Sequence, residues 1–542
     1  MADPTSRPSR PSAAVPPRGW VVAPQAPTAS LCAEILRSGG NAFDAALVGA
    51  LSQGVTDPHR SGIGGFGVAT LYEAARGRAV AIAYHGRAGS RVRPDQWEAD
   101  FEGVSPDGFG FLVKGKGNDV GPAAIAVPGV VRGLGLLHAG RGRLAWKALL
   151  ERVAAFAEEG LRVPSDMAAY WRRPGLAGRV ATRDRLALTS AGRKHALRPD
   201  GEPYAEGEVL RLPGLASAYR RLASAGPDDF YEGEMARTLL RELGPDVKFD
   251  AKDLASYRAS EEPCARIAWE GMDLFSPGPP AGGVTLFQFL LLAARHGDLS
   301  KGLVSFEAMD SLGRLLSRIH EAKLRTQGDP AFGGEPVDRL LSDAYLKSLA
   351  DSPWPEEPKG EEQGTTQLCV VDGEGNAVSL NTSLGFNSGV FSDMYGFPFN
   401  NAMQCFDPRP GQPDCILPGR ARYTGCAPTL GTRGGRISLV IGAPGGARIT
   451  AAIGIPLIGL AKFGMTPPEA MEIPRFDGVR RTILFEGRVD GAIEKRLAAA
   501  GWTPHRSTRP YGAIGRTYCL WLGARGWEAG LDPSEPGAVV VA

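Results

Sequence analysis

The junction between Gly364 and Thr365 is where the residues first suggest a reaction. A polar stretch over 352–364, SPWPEEPKGEEQG, has three prolines and no periodicity, and it reads as a mobile linker. It stops at Gly364, and Thr365 opens a strand. The Thr hydroxyl of such a junction can attack the preceding carbonyl. An N→O acyl shift then follows, and water releases a new N-terminus at Thr365. The freed α-amine, with a reference pKa of about 7.7–8.0, can act as general base to its own hydroxyl. A threonine activated by its own N-terminal amine is a known variant of nucleophilic catalysis, and it needs no His or Asp. The competing reading is an ordinary strand-forming Thr after a loop.

A second segment, APGGARI over 443–449, puts a glycine pair between a strand end and a helix start. Backbone N–H groups and the helix dipole there could stabilise an oxyanion, although close strand–helix packing explains the glycines equally well. A third segment, GIGGFG over 62–67, superficially resembles a dinucleotide fingerprint. It follows a helix and a DPHR loop instead of a buried strand, so no nucleotide cofactor is expected. The seven histidines show no metal-ligand spacing, and no metal is expected.

The elements that must position these segments are legible in outline. Strand-like runs occupy 19–22, 68–72 and 79–84, the last two forming a hairpin. Helices are expected over 29–37, over 42–54 with Asn41 as N-cap, and over 144–159, 235–243, 284–294, 306–326 and 337–349. Strands over 366–371 and 377–382 flank a DGEGN turn, and a strand over 436–442 leads into a buried helix over 449–463. Hairpins mixed with crossovers favour stacked layers, an α/β (α+β) fold, over a doubly wound parallel sheet.

With 542 residues, 43% hydrophobic and 22% charged, the chain can bury a large core. The net charge of +2 and the lack of a Lys/Arg block argue against nucleic-acid binding. Residues 1–18 read as a disordered tail with no apolar run fit for a secretory signal, and no stretch suits a membrane span. Seven dispersed cysteines without a CxxC pair suggest reduced thiols and the cytoplasm, with Cys405 and Cys415 the one conceivable pairing.

Taken in order, several blocks resemble the γ-glutamyltransferase family of Ntn hydrolases across 19–542. They are ILRSGGNAFDAA over 35–46 followed by DP and SGIGG, GPAAIAVPG over 121–129, PPAGG over 279–283, TTQLCVVDGEGNAVS over 365–379, Asn400-Asn401, Pro428-Thr429, and GAPGGAR over 442–448. The resemblance implies an αββα four-layer sandwich, made as a precursor and cut into a large chain (19–364) and a small chain (365–542) that stay associated, with higher homo-oligomers an open expectation. It also implies acyl transfer through a Thr ester. Thr365 falls on the nucleophile, Ser383 on a second hydroxyl that bonds to it, and Gly445 and Gly446 on the oxyanion pair.

The head-group positions depart from the family pattern. His85 stands at the position of the carboxylate-binding Arg, with Arg87 two residues on, and Cys405 replaces the acid that binds the α-ammonium. Thr424-Gly425 replaces a Ser pair, and Gly385 replaces an Asn with Asn387 nearby. Arg87 and Arg422 become candidate carboxylate ligands, with His85, Thr424, Gly425 and Asn387 as further pocket residues. Loss of one charge-assisted pair costs about 1.5–3 kcal/mol. The expected function is hydrolysis or transfer of a γ-glutamyl or related acyl group from a small-molecule amide such as glutathione. The alternative is a non-catalytic, uncleaved binding protein.

Overall fold

Two antiparallel sheets carry the segments singled out above. In chain order their strands are β1 (Gly19–Ala23), β2 (Phe66–Glu73), β3 (Arg78–Tyr84), β4 (Ser260–Pro263), β5 (Ala265–Trp269), β6 (Met272–Ser276), β7 (Thr366–Asp372), β8 (Ala377–Ser383), β9 (Thr429–Arg433), β10 (Arg436–Gly442), β11 (Tyr518–Gly523), β12 (Gly526–Leu531) and β13 (Ala538–Val541). The first sheet runs β13-β1-β7-β8-β2-β3-β4 and the second β12-β11-β10-β9-β6-β5. The computed structural model describes residues 18–105, 110–175, 178–355 and 365–542. The tail expected over 1–18 lies outside these except for Arg18, whose N–H donates to the Ala542 carbonyl at 2.7 Å. Gly364 and linker residues 356–363 also lie outside the described residues.

The β7–β8 hairpin forms where its turn composition demands. Asp372 Oδ1 accepts the N–H groups of Glu374 at 2.9 Å and Asn376 at 3.0 Å, and Gly375 takes φ +86°. On the outer face of the first sheet lie α1 (Ala26–Arg37) and α2 (Ala42–Thr56). Asn41 and Asp44 close a reciprocal capping box at the start of α2. Every residue of α2 is buried. Its small residues let it lie close on β7, where a Cβ at Gly49 would meet Leu368 at 2.5 Å.

The second sheet is covered by α3 (Gly283–His296), α4 (Phe306–Thr326) and α5 (Ile449–Lys462). Val22, Cys369 and Val371 meet Leu430, Val440, Tyr518 and Leu520 between the sheets. Leu368, Val370, Val378 and Leu380 point the other way, into the first helix layer. Leu439 and Ile441 point into the second. This period-two alternation produces a four-layer αββα sandwich, each buried aliphatic side chain contributing about 1.5–3 kcal/mol.

Two expectations need correction. The helix expected over 337–349 is two helices, Val337–Leu340 and Asp343–Ala350, because Ser342 breaks the run and caps the second through Tyr345 N–H. Cys405 and Cys415 are not joined, and none of the seven cysteines is in a disulfide. Among the described residues no helix is long and apolar enough to cross a membrane, and no group of three His, Cys, Asp or Glu is placed to hold a metal.

Candidate active site

Sheet register assembles the site. In the β7–β8 pairing Thr366 faces Thr382, which sets Thr365 beside Ser383. Ser383 faces Phe66 across β8–β2. Gly67 faces Tyr84 across β2–β3, and one further step sets Phe66 beside His85. Directly opposed residues share a sheet face, so Thr365, Ser383, Phe66 and His85 form one row at the sheet's end. With strands about 4.8 Å apart, the row extends about 14 Å from Thr365 to His85.

At one end of the row, the buried Thr365 hydroxyl donates to Ser383 Oγ at 3.2 Å. Ser383 Oγ also accepts Gly385 N–H at 2.9 Å. Gly385 has φ +66°, and a Cβ there would sit 2.2 Å from Asn401 Oδ1. That contact gives a physical reason for glycine at this position.

Residues two and four before Ser383 face the second sheet and clamp it. Asn381 Nδ2 donates to the carbonyls of Thr366 at 2.9 Å and Ala443 at 3.4 Å, and Ser379 Oγ donates to the Ile441 carbonyl at 2.9 Å. The clamp brings the end of β10, and with it Gly445 and Gly446, to the edge where β7 begins. Gly446 takes φ +54°, and Arg448 N–H closes the turn on the Gly445 carbonyl at 3.0 Å before α5 starts. A Cβ at Gly425 would stand 2.1 Å from the Gly446 carbonyl, and one at Gly282 would stand 2.4 Å from the Gly425 carbonyl. Three loops therefore meet backbone to backbone at this turn. The glycines of the PPAGG and Thr424-Gly425 segments are required by that approach.

The candidate pocket residues divide into two groups. Arg422 lies over the row, its guanidinium 4.7 Å above the Phe66 ring. Its N–H donates to the Gly86 carbonyl at 3.3 Å and its Nε to the Tyr423 carbonyl at 3.0 Å. Thr424 is buried, its N–H on the Pro280 carbonyl at 2.8 Å. Arg87 instead turns to Asp329, with Nη1 3.2 Å from Oδ2, and to the Gly419 carbonyl at 3.1 Å. Asn387 is fully buried at φ +57°, its amide donating to the His59 carbonyl at 3.2 Å and accepting Gly389 N–H at 3.0 Å. Strand register therefore sets Thr365, Ser383 and His85 in one row, Arg422 lies over Phe66 in that row, and Gly425 beside Thr424 packs against the Gly446 carbonyl. Arg87 and Asn387 are engaged beside that row, by Asp329 and by the His59 carbonyl.

Burial, aided by the charges of Arg87 and Arg422, pushes His85 down to about 3. Its ring is neutral, and among the described residues its buried Nδ1 meets no hydrogen-bond partner. Burial also lowers His59 and His320. An unfolded histidine takes its proton below about pH 6.5, whereas folded His85 refuses it until about pH 3. Stability is therefore full above pH 6.5 and falls as pH drops below it. His85 alone should cost about 2 kcal/mol by pH 5. Thermal midpoints at pH 7 and pH 5 should show this loss, and His85→Gln should flatten it. An unchanged slope in the variant would remove His85 as a cause.

Sequence reasoning missed the residues that hold the 384–389 loop. Arg185 is buried and grips both Asp119 carboxylate oxygens at 2.9 Å, while Asn401 Nδ2 donates to Asp119 Oδ1 at 3.0 Å. It also missed Asp414. Burial pushes this carboxyl up to about 7 against the pull of Arg420 and Arg422. No spacing rule would have singled out either acid.

The gamma-glutamyltranspeptidase family model matches residues 28–542. A glutathione hydrolase proenzyme of Pseudomonas aeruginosa is 31% identical, over 96% of this chain and 94% of its own. An acylase ACY 1 proenzyme of Pseudomonas sp. (strain SE83) is 29% identical, over 92% of this chain and 89% of its own. The crystal structure of cephalosporin acylase from Bacillus halodurans superposes with a TM-score of 0.84 at 24% identity, over 100% of this chain and 99% of that one, and so shares the fold. The relatives are enzymes, and they lend no support to a non-catalytic scaffold. A family match of this length, on a sandwich of this layering, means that the chain belongs to the gamma-glutamyltranspeptidase family and is an Ntn-type hydrolase.

Proposed function

We propose that the chain is made as a precursor, cuts itself between Gly364 and Thr365, and then uses Thr365 to cleave a small-molecule amide. The observation that carries this reading is the buried Thr365 hydroxyl, 3.2 Å from Ser383 Oγ, at the sheet edge to which Asn381 and Ser379 bring the Gly445–Gly446 turn. Cleavage there divides the sequence into a large chain, 1–364, and a small chain, 365–542, that share one sandwich. The word proenzyme in the names of the two Pseudomonas relatives fits such processing.

In turnover the Thr365 amine takes the hydroxyl proton and Oγ attacks the amide carbonyl. Gly445 and Gly446 N–H groups receive the developing oxyanion. The amine returns the proton to the leaving nitrogen, and the C–N bond breaks. Water, or an acceptor amine, resolves the Thr ester by the same steps in reverse. The acyl end lies along the row toward Phe66, with Arg422, His85, Thr424 and Gly425 around it and with Arg87 and Asn387 holding its walls. The acyl group is γ-glutamyl or a related acid. Cys405 at the usual acid's position weakens recognition of an α-ammonium, while Arg422 suits a distal carboxylate. Seven cysteines outside any disulfide fit the cytoplasm.

Purified protein should give two bands of about 38 and 19 kDa from the 57.3 kDa chain, in proportion to 364 and 178 residues. Turnover of γ-glutamyl-anilide and glutaryl-anilide, with mass detection of the acyl-enzyme on the small chain, tests the rest. An intact chain without turnover sinks the reading. Ser383→Ala removes the acceptor of the Thr365 proton and of Gly385 N–H. It should lower kcat about 10–100-fold, as loss of about 1.5–3 kcal/mol implies, with KM little changed. Unaltered kcat would take Ser383 out of the machinery.

A further inference from the structure

A lysine is buried behind the oxyanion turn. Lys323 lies on α4, its side chain enclosed, with Nζ 2.9 Å from His320 Nδ1 and 3.5 Å from the Ala447 carbonyl. His320 Nε2 lies 3.0 Å from Asp477 Oδ1. Asp477 sits on the strand Phe476–Val479, so a chain of polar contacts runs Asp477–His320–Lys323–Ala447 through α4 to the turn. A charged ammonium donates and cannot accept, so His320 Nδ1 accepts from Lys323 and its Nε2–H donates to Asp477. Burying an ammonium is costly, and the last turn of α4, which favours a cation, offsets only part of that cost. The arrangement therefore calls for a reason beyond packing.

The contacts at Ala447 supply it. The peptide joining Ala447 to Arg448 is held at both ends: its carbonyl receives Lys323, and its N–H donates to the Gly445 carbonyl at 3.0 Å. We propose that Lys323, oriented by His320 and Asp477, is a positioning residue that locks the Gly445–Gly446 turn in the conformation that presents its N–H groups to the oxyanion. The inference rests on the oxyanion role of that turn proposed above.

The groups facing Lys323 are His320 from its own helix, Asp477 from the neighbouring strand and Tyr423 from the loop before Thr424, whose ring lies 5.7 Å from Nζ, while Arg448 from the turn acts on His320. Burial pushes Lys323 down to about 8, against the pull of Asp477. The ammonium is present below that pH and is lost above it. Turnover should rise as the Thr365 amine loses its proton and fall again as Lys323 loses its own.

Rate–pH profiles of the full-length protein on the best anilide test this, alongside the rate of self-cleavage. Lys323→Met should lower kcat about 10–100-fold with KM within about twofold, and should slow self-cleavage, which uses the same turn. Lys323→Arg keeps its charge, so it should restore turnover near neutral pH and move the alkaline fall upward by more than one pH unit. Wild-type kcat and profile in Lys323→Met, or an alkaline fall in Lys323→Arg at the wild-type pH, would overturn the inference alone. A wild-type protein that neither cleaves itself nor turns over an amide would overturn the acylase reading, and this inference with it.

Discussion

Thr365→Ala leaves one band at 57.3 kDa where the wild type gives two, and its amide turnover falls at least about 1,000-fold. Alanine keeps Cβ and removes two heavy atoms at a residue just before the strand Thr366–Asp372, so the fold should survive. The variant lacks the only oxygen that can attack either the Gly364 carbonyl or a substrate carbonyl in this reading. Self-cleavage and turnover should therefore fail together. Thr365→Ser separates chemistry from fit. It keeps the hydroxyl but loses the β-branch that restricts χ1, so both processes should persist at lower rates, about tenfold down. The checks are a denaturing gel of purified protein and an anilide assay on the same preparation. If Thr365→Ala is cut like the wild type, the nucleophile is elsewhere and the row from Thr365 to His85 loses its purpose.

The sequence exposed the local rules more fully than the long-range ones. The DGEGN turn, the Asn41 cap and the helix over Phe306–Thr326 are readable because their determinants lie within a few residues. The glycines of 282, 425 and 446 were visible as glycines. That they touch one another is a fact of three loops more than 100 residues apart in part, and no spacing encodes it. The same holds for the row: Phe66 and His85 join Thr365 and Ser383 only through strand register. Arg87 and Arg422 were equal candidates as carboxylate ligands on the sequence. Asp329, 242 residues from Arg87, is what draws that arginine aside. Lys323 showed no signal at all, since a lysine on an amphipathic helix is normally solvated, and its burial depends on Asp477 far downstream.

Arg185→Met should cost about 3–5 kcal/mol of stability and reduce kcat with it. The guanidinium is 2% exposed, and besides both Asp119 oxygens it holds the Asp119 carbonyl at 2.9 Å and the Asn387 carbonyl at 2.5 Å. Asp119 passes the constraint on to Asn401, whose N–H donates to the Leu384 carbonyl at 3.0 Å and whose Oδ1 accepts Phe386 N–H at 2.9 Å. The loop so bracketed begins at the residue after Ser383. Removing the arginine strands the buried Asp119 charge, which among the described residues keeps Asn401 and the Val180 N–H, at 3.3 Å, as donors. Denaturant midpoints measure the loss. The double variant Asp119→Leu/Arg185→Met removes the stranded charge and should recover much of the stability, since an apolar pair often replaces a buried ion pair at little cost. It cannot recover the grip on the Asn387 carbonyl. Turnover should therefore stay low in the double variant even where stability returns, because a small displacement of Ser383 is enough to misalign the Thr365 hydroxyl. A double variant that regains both would mean that the arginine serves stability alone, and a single variant with the wild-type midpoint would mean that the pair does not hold the loop.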